Sequence, residues 1–402
     1  LAGLAELQAA LAEDQALLSF LVPANPRSRD GAGRVLVVTR ASARVVELGG
    51  AGEIDPAVSM YLALLERRDG SELRGAVRLH DALLREALAG LPPGVTRLLL
   101  VPDGPLHRLP FDSLRDGPGS PPLAVRYETS IVPSATMWLR WKKTVPAAPP
   151  TPLLALADPE LPAGAPEAAE RAAGMFAVGP RLGRLPFARR EAARLRRALG
   201  GESWVGGAAT EAALRAADLR RYAIVHFAAH AVLDDERPER SAVLLGADTR
   251  DQDGLLQVRE IVDLPLAGQV IVLSACRGAG GPIVGGDGPA GLANAFFQAG
   301  ARTVVAGLWS LRDDETAALV EDFGRRLAAG ASVGAALAGA RRELVARGAP
   351  PAAWAGLVVL GDADLVPLPG GAAPSRWLLP ASVLALALLL LVAFFATRRW
   401  LR

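Results

Sequence analysis

Cysteine is almost missing from this chain: Cys276 is the only one in 402 residues. A single thiol excludes an intrachain disulfide and fits a reducing compartment. With no second cysteine and no His-x-x-x-His pair beside it, a structural zinc site is not expected, and neither is any other metal or cofactor. Surplus charge is also missing, since 44 Lys and Arg face 42 Asp and Glu for a net charge of +2. No Lys/Arg cluster is interleaved with aromatics, so the electrostatic footprint of a nucleic-acid binder is not there. The Gly-rich stretch from Gly278 to Gly288 lacks the Gly-Lys-Ser/Thr ending of a phosphate loop. No tandem repeat is found. Leu4 to Leu17, with Glu6, Glu13 and Asp14, reads as an amphipathic helix without the basic start and apolar core of a signal peptide. The chain opens on Leu1 rather than Met, which suggests a fragment or processed product.

Apolar residues are abundant at 51%, ample for the cores of two or three domains. One apolar run stands apart. Trp377 to Ala396 is uncharged, and at 1.5 Å per residue its length reaches about 30 Å, one hydrocarbon thickness. Arg376 precedes it, and Arg398, Arg399, Trp400 and Arg402 follow as a basic and aromatic interface belt. The expectation is a single-pass transmembrane helix over 377–397 with a basic tail over 398–402, in the inner (plasma) membrane. The Arg-rich tail favours an outside position for the large domain. The absence of a signal peptide and the free thiol favour a cytoplasmic one, and the cytoplasmic side is preferred.

The rest divides by composition. Residues 1–143 read as an N-terminal α/β unit: a hairpin of Leu17–Val22 and Arg34–Thr39, a third strand over Ala43–Leu48, helices over Ile54–Arg68 and Glu72–Leu88, and a buried strand over Arg97–Val101. Residues 144–152 are a Pro/Ala-rich linker. Residues 153–366 form a second α/β unit, and 367–376 link it to the apolar tail. Phe187 to Leu199 is a helix whose arginines read as one solvated face rather than a lipid-binding surface. Thr210 reads as an N-cap. Pro289 is expected to open a helix that runs to Ala299. Helices over 313–329 and 332–346 and a last strand over Trp354–Leu360 follow.

Two strands carry the chemistry. Ala223–His230 and Gln269–Cys276 are apolar on both faces, as central parallel strands are. Each runs into a loop, and function in open α/β sheets gathers at the carboxyl ends of strands. A free thiol is only a few per cent thiolate at neutral pH, and a neighbouring imidazole activates it and later protonates the leaving amine. His230 is therefore the expected base and acid and Cys276 the nucleophile, with His226 buried and hydrogen-bonded on the same strand. His107 is read as structural. The backbone amides of Cys276 and Ala231 are candidates for an oxyanion hole. Asp287, Asp313 and Asp314 are candidate substrate-pocket acids, although helix capping accounts for Asp313 and Asp314 equally well. No third acid for His230 is evident.

His226-Phe227-Ala228-Ala229-His230 resembles the His-Phe-Ala-Thr-His-Gly signature of CHAT-domain proteins, the caspase-like family associated with TPR repeats. Leu273-Ser274-Ala275-Cys276 followed by Gly278 is similar to their Leu-Ser-Ala-Cys-x-Thr-Gly. The likeness continues through Gly286-Asp287-Gly288, Phe296 to Val305, Leu308-Trp309 and Trp354 to Asp362. Upstream it includes Val101-Pro102-Asp103-Gly104, Leu109-Pro110-Phe111 and Val132-Pro133-Ser134. It covers most of Leu4 to about Asp364. The resemblance implies a clan CD cysteine peptidase with a caspase-like three-layer αβα sandwich, a mostly parallel central sheet and a degenerate caspase-like N-terminal subdomain. It implies His230 and Cys276 as the dyad, a protein substrate, and TPR or sensor domains, or an activating partner, upstream of Leu1. A bacterial signalling or defence pathway is the expected setting. Ala231 departs from the usual Gly, and a β-carbon there hinders the amide if that position needs positive φ. Arg277 and Ala279 also depart from the common residues. The rival reading is a weak pseudo-protease serving as a membrane-tethered scaffold. A small-molecule thiol hydrolase is weaker still, because no ligand loop is visible.

Overall fold

A computed structural model describes residues 2–23, 32–48, 51–144, 149–161, 184–234, 237–247, 253–274, 283–284, 288–289, 291–309 and 312–372. The first helix, α1 (Leu4–Ala10), ends at Leu11 in extended backbone, and the chain enters β1 (Gln15–Leu21). This corrects the longer helix expected over Leu4–Leu17. Tertiary pairing overrides helical spacing here, because β1 is bonded on both sides: antiparallel to β2 (Gly33–Thr39) and parallel to the strand Arg97–Val101. β3 (Ala43–Leu48) pairs with β2 and forms one edge. Then come α2 (Ala51–Arg67), α3 (Leu73–Leu83) and α4 (Arg85–Ala89), with a break at Leu84 in place of one continuous helix. β4 (Arg97–Val101), α5 (Leu123–Arg126), β5 (Glu128–Ile131) and α6 (Ala135–Lys142) complete the N-terminal half.

The second half runs β6 (Thr151–Ala157), α7 (Pro186–Leu199), β7 (Glu202–Val205), α8 (Glu211–Ala216) and β8 (Tyr222–Ala228). A small sheet of β9 (Ala231–Val232), β10 (Ala242–Leu244) and β11 (Leu255–Gln257) follows, then α9 (Val258–Ile261) and β12 (Val270–Leu273). β13 (Ile283–Val284) pairs with β14 (Gly288–Pro289). Pro289 thus sits in a bridge, and the helix α10 (Leu292–Gln298) starts later, behind Gly291, which corrects the expected helix start. β15 (Thr303–Gly307), α11 (Asp313–Ala328), α12 (Val333–Ala346) and β16 (Leu357–Gly361) close the fold.

One eleven-stranded sheet joins both halves in the order β3-β2-β1-β4-β5-β16-β15-β12-β8-β6-β7. Only the β3–β2, β2–β1 and β15–β16 contacts are antiparallel. β8, β12 and β15 are buried at every position, as strands covered on both faces are. On one face of the second half Val225, Phe227, Ile271 and Leu273 pack against α10. On the other, Ile224, Val270 and Val272 pack against α7, α11 and α12. The N-terminal half likewise has a core on each face. The result is helices on both sides of a mostly parallel sheet, the layered α/β architecture expected.

The halves meet where β16 pairs in parallel with β5, Leu360 beside Ile131. A buried ion pair spans the same junction, with Arg341 of α12 2.7 Å from Asp112. No helix among the described residues is long and apolar enough to cross a membrane. The expected span over 377–397 lies outside the described residues.

Candidate active site

β8 and β12 lie side by side in parallel register, Val272 beside His226 and Leu273 beside Phe227. The amide of Ser274 donates to the carbonyl of Phe227 at 3.2 Å, extending the pairing to the carboxyl rim. The two strands expected to deliver the reactive residues are therefore direct neighbours. His230 stands at that rim, half-buried, and its carbonyl accepts from the amide of Leu244 at 2.8 Å. Cys276 and Asp287 lie outside the described residues.

Ala231 opens β9 and faces Val243 of β10. Because His230 and Leu244 occupy a hydrogen-bonded position of this antiparallel ladder, the next pair does not, and the Ala231 amide points away from β10. Among the described non-glycine residues only Arg68 and Asp158 have positive φ. Ala231 is ordinary extended backbone, so its β-carbon brings no strain. The conformational objection to alanine at this position does not hold.

Asp313 and Asp314 are the first two residues of α11. In the same turn Glu315 pairs with Arg68 of the N-terminal half. His107 lies in a short 3-10 turn, Gly104–Arg108, against which β13 and β14 pack. Burial lowers its imidazole to about 4, so it is neutral at physiological pH.

Sequence reading missed two groups beneath this rim. Glu191, on α7, and Ser274 converge on His226. The Nε2 atom of His226 is 2.5 Å from Ser274 Oγ and 2.7 Å from Glu191 Oε1, and Ser274 Oγ donates to the same carboxylate oxygen at 2.5 Å. His226 is fully buried and Glu191 is 4% exposed. The signal was present in the spacing. Glu191, Leu195 and Leu199 recur at i, i+4 and i+8, which puts one acid on the apolar stripe of an otherwise arginine-rich helix. Arg189, Arg190, Arg194, Arg196 and Arg197 are exposed, the solvated face expected of them.

The second group is Asp158, just past the end of β6 at φ 45° and 2% exposed. Its amide donates to Ala228 of β8 at 3.0 Å. Its carboxylate accepts from the amide of Leu185 at 2.7 Å and pairs with Arg184 at 3.0 Å and with Arg189. The start of α7 is thereby tied to the rim beside the His230 strand. Among the described residues no group of His, Cys, Asp and Glu is arranged to hold a metal ion.

With this geometry in view, comparison with known families settles the lineage: residues 74–362 match the CHAT domain. The chain belongs to the CHAT-domain family. No curated protein matches it. Among solved structures, the separase–securin complex of Saccharomyces cerevisiae is similar at 15% identity and a TM-score of 0.41, over 73% of this chain and 17% of that one. The chain thus spans about a sixth of the separase chain that it matches. The RgpB pro- and mature-domain complex of Porphyromonas gingivalis is similar at 11% identity and a TM-score of 0.43, over 72% of both chains. The Arg-specific cysteine proteinase gingipain R (RgpB) is similar at 11% identity and a TM-score of 0.41, over 73% of this chain and 67% of that one.

Proposed function

We propose that this CHAT-domain chain is a cysteine endopeptidase with Cys276 as nucleophile and His230 as general base and acid. What supports the reading most is the parallel pairing of β8 and β12, because each strand runs directly into one of the two residues. The thiol gives its proton to His230, and the sulfur attacks a peptide carbonyl. The developing oxyanion is held by the amides of Cys276 and Ala231. Collapse breaks the C–N bond, and His230 returns the proton to the leaving amine. Water then hydrolyses the thioester, with His230 again taking the proton. Asp287, Asp313 and Asp314 are proposed to line the substrate pocket. The apolar segment 377–397 is proposed to anchor the domain in the plasma membrane on its cytoplasmic side, with activity released by an upstream domain or partner in a bacterial signalling or defence pathway.

The test is cleavage of a peptide library by the chain truncated before Trp377, with Cys276→Ala as control. Cleavage that vanishes in the variant is the expected result, and a preference for basic residues before the cut supports the acidic pocket. Cleavage that survives Cys276→Ala overturns the assignment. The scaffold alternative leaned on Ala231, and the extended backbone at that residue takes away the conformational part of that argument; absence of any Cys276-dependent cleavage would favour the scaffold.

A further inference from the structure

Glu191, His226 and Ser274 have the composition of a catalytic triad but not its wiring. In a working triad the hydroxyl meets one ring nitrogen and the carboxylate the other. Here the hydroxyl and the carboxylate both meet Nε2 of His226, and Nδ1 is buried with no hydrogen-bond partner among the described residues. No substrate reaches an imidazole that is 0% exposed. Hydrogen counting gives the bonding pattern. The one hydroxyl hydrogen of Ser274 goes to Glu191. Nε2 must then carry a hydrogen, shared between Ser274 Oγ and Glu191 Oε1. The hydroxyl and the ring N–H both turn toward one carboxylate, so the three groups bond to one another.

Its location gives it a use. His226 lies on β8 four residues before His230 in the chain, and Ser274 follows β12 directly, two residues before Cys276. Glu191 brings in α7, which Asp158 pins to the same rim. Three elements are therefore locked together at one point, just before both strands leave the sheet. Apolar side chains of the same size would hold such a buried face at least as firmly, so stability alone does not call for a polar trio there. Directional bonds do what apolar packing cannot: they fix rotation and height at a strand end.

We infer that Glu191, His226 and Ser274 are positioning residues that set the relative placement of the thiol and imidazole. This rests on the reading of Cys276 as the nucleophile. The lone cysteine makes the test clean, since iodoacetamide alkylation of the full chain reports on Cys276 only. Ser274→Ala, a small deletion that leaves Glu191 and His226 paired, is expected to slow alkylation at pH 7 roughly tenfold. It is also expected to move the midpoint of the pH–rate profile upward. Ser274→Thr restores the hydroxyl and most of the rate, and Glu191→Gln repeats the loss without changing side-chain size. Wild-type rates and midpoints in Ser274→Ala and Glu191→Gln, with His230→Ala slow, overturn the inference and leave the dyad standing. A rate loss with an unchanged midpoint, matched by a loss of folded protein, also overturns it and makes the cluster merely structural. If His230→Ala alkylates like the wild type, the dyad and the positioning role fall together.

Discussion

Ala231 shows how one side chain is judged by its backbone. Its amide is turned away from β10 and its φ is not positive, so glycine offers no conformational advantage there. Ala231→Gly is expected to leave peptide cleavage within about twofold of wild type, because extended backbone accepts a β-carbon. A large gain in turnover would show that the alanine is a handicap. Two titrating groups give a second residue-level outcome. Glu128 is raised to about 7, first by burial and then by Asp364, with Asp14 adding to the rise and Arg97 and Arg342 opposing it. A raised carboxyl stabilises the fold below its usual value of 4.5, and that contribution is lost as pH rises towards 7. His107 is lowered by burial from 6.5 to about 4, with Asp103 opposing. Its contribution is present above 6.5 and is lost as pH falls towards 4. The two slopes oppose each other, so the wild type is expected to show little net change from them between about pH 4.5 and 6.5. Glu128→Gln should leave stability rising with pH over that window, and His107→Asn should leave it falling. Urea unfolding as a function of pH checks both, and parallel curves for the two variants would contradict the assignment.

At the scale of elements, strands covered on both faces were easy to read. Val270–Leu273 and Thr303–Gly307 are short runs rich in β-branched residues, and their length marks them as central strands rather than helices. β5 and β7 escaped notice for the opposite reason. Glu-Thr-Ser-Ile and Glu-Ser-Trp-Val are brief and at least half polar, and pairing with neighbours rather than their own pattern makes them strands. The start of β1 was hidden similarly, since one of its two partners, β4, comes from a distant part of the chain. Pro289 misled because proline suits a helix start in general, whereas here it pairs with Ile283. In the candidate site, His226 was legible as a buried residue of an apolar strand. Glu191 was not, because its partners come from other elements. The end of β16 carries a prediction of its own. Gly361 has φ 97°, and a β-carbon there would lie 2.4 Å from the carbonyl oxygen of Arg302. Gly361→Ala is expected to cost roughly 1–3 kcal/mol by strain and contact, measured by urea unfolding. A neutral result would mean that this turn can relax.

Across the whole molecule, the two halves are one sheet, and the narrow β5–β16 seam is reinforced by buried charge. Arg341 is 1% exposed and Asp112 is 2% exposed. Burial raises the Asp112 carboxyl and lowers the Arg341 guanidinium, while their mutual attraction opposes both shifts. Arg341 also donates to the carbonyl of Leu357 at 2.5 Å, and Thr129 donates to Asp112 at 2.8 Å. Arg341→Leu leaves a buried carboxylate uncompensated and is expected to destabilise the chain by roughly 3–5 kcal/mol. Adding Asp112→Asn should recover much of that loss, and an unfolding series that shows no recovery would contradict the pairing. The same continuous sheet brings the two strands that lead to His230 and Cys276 side by side, and the central claim is that those residues work as a pair. Its most direct measurement is the pH dependence of Cys276 alkylation in the wild type and in His230→Ala. The account predicts a thiolate that persists well below the usual thiol range of about 8.5 in the wild type and returns to it in the variant. An ordinary thiol profile in both proteins would contradict it.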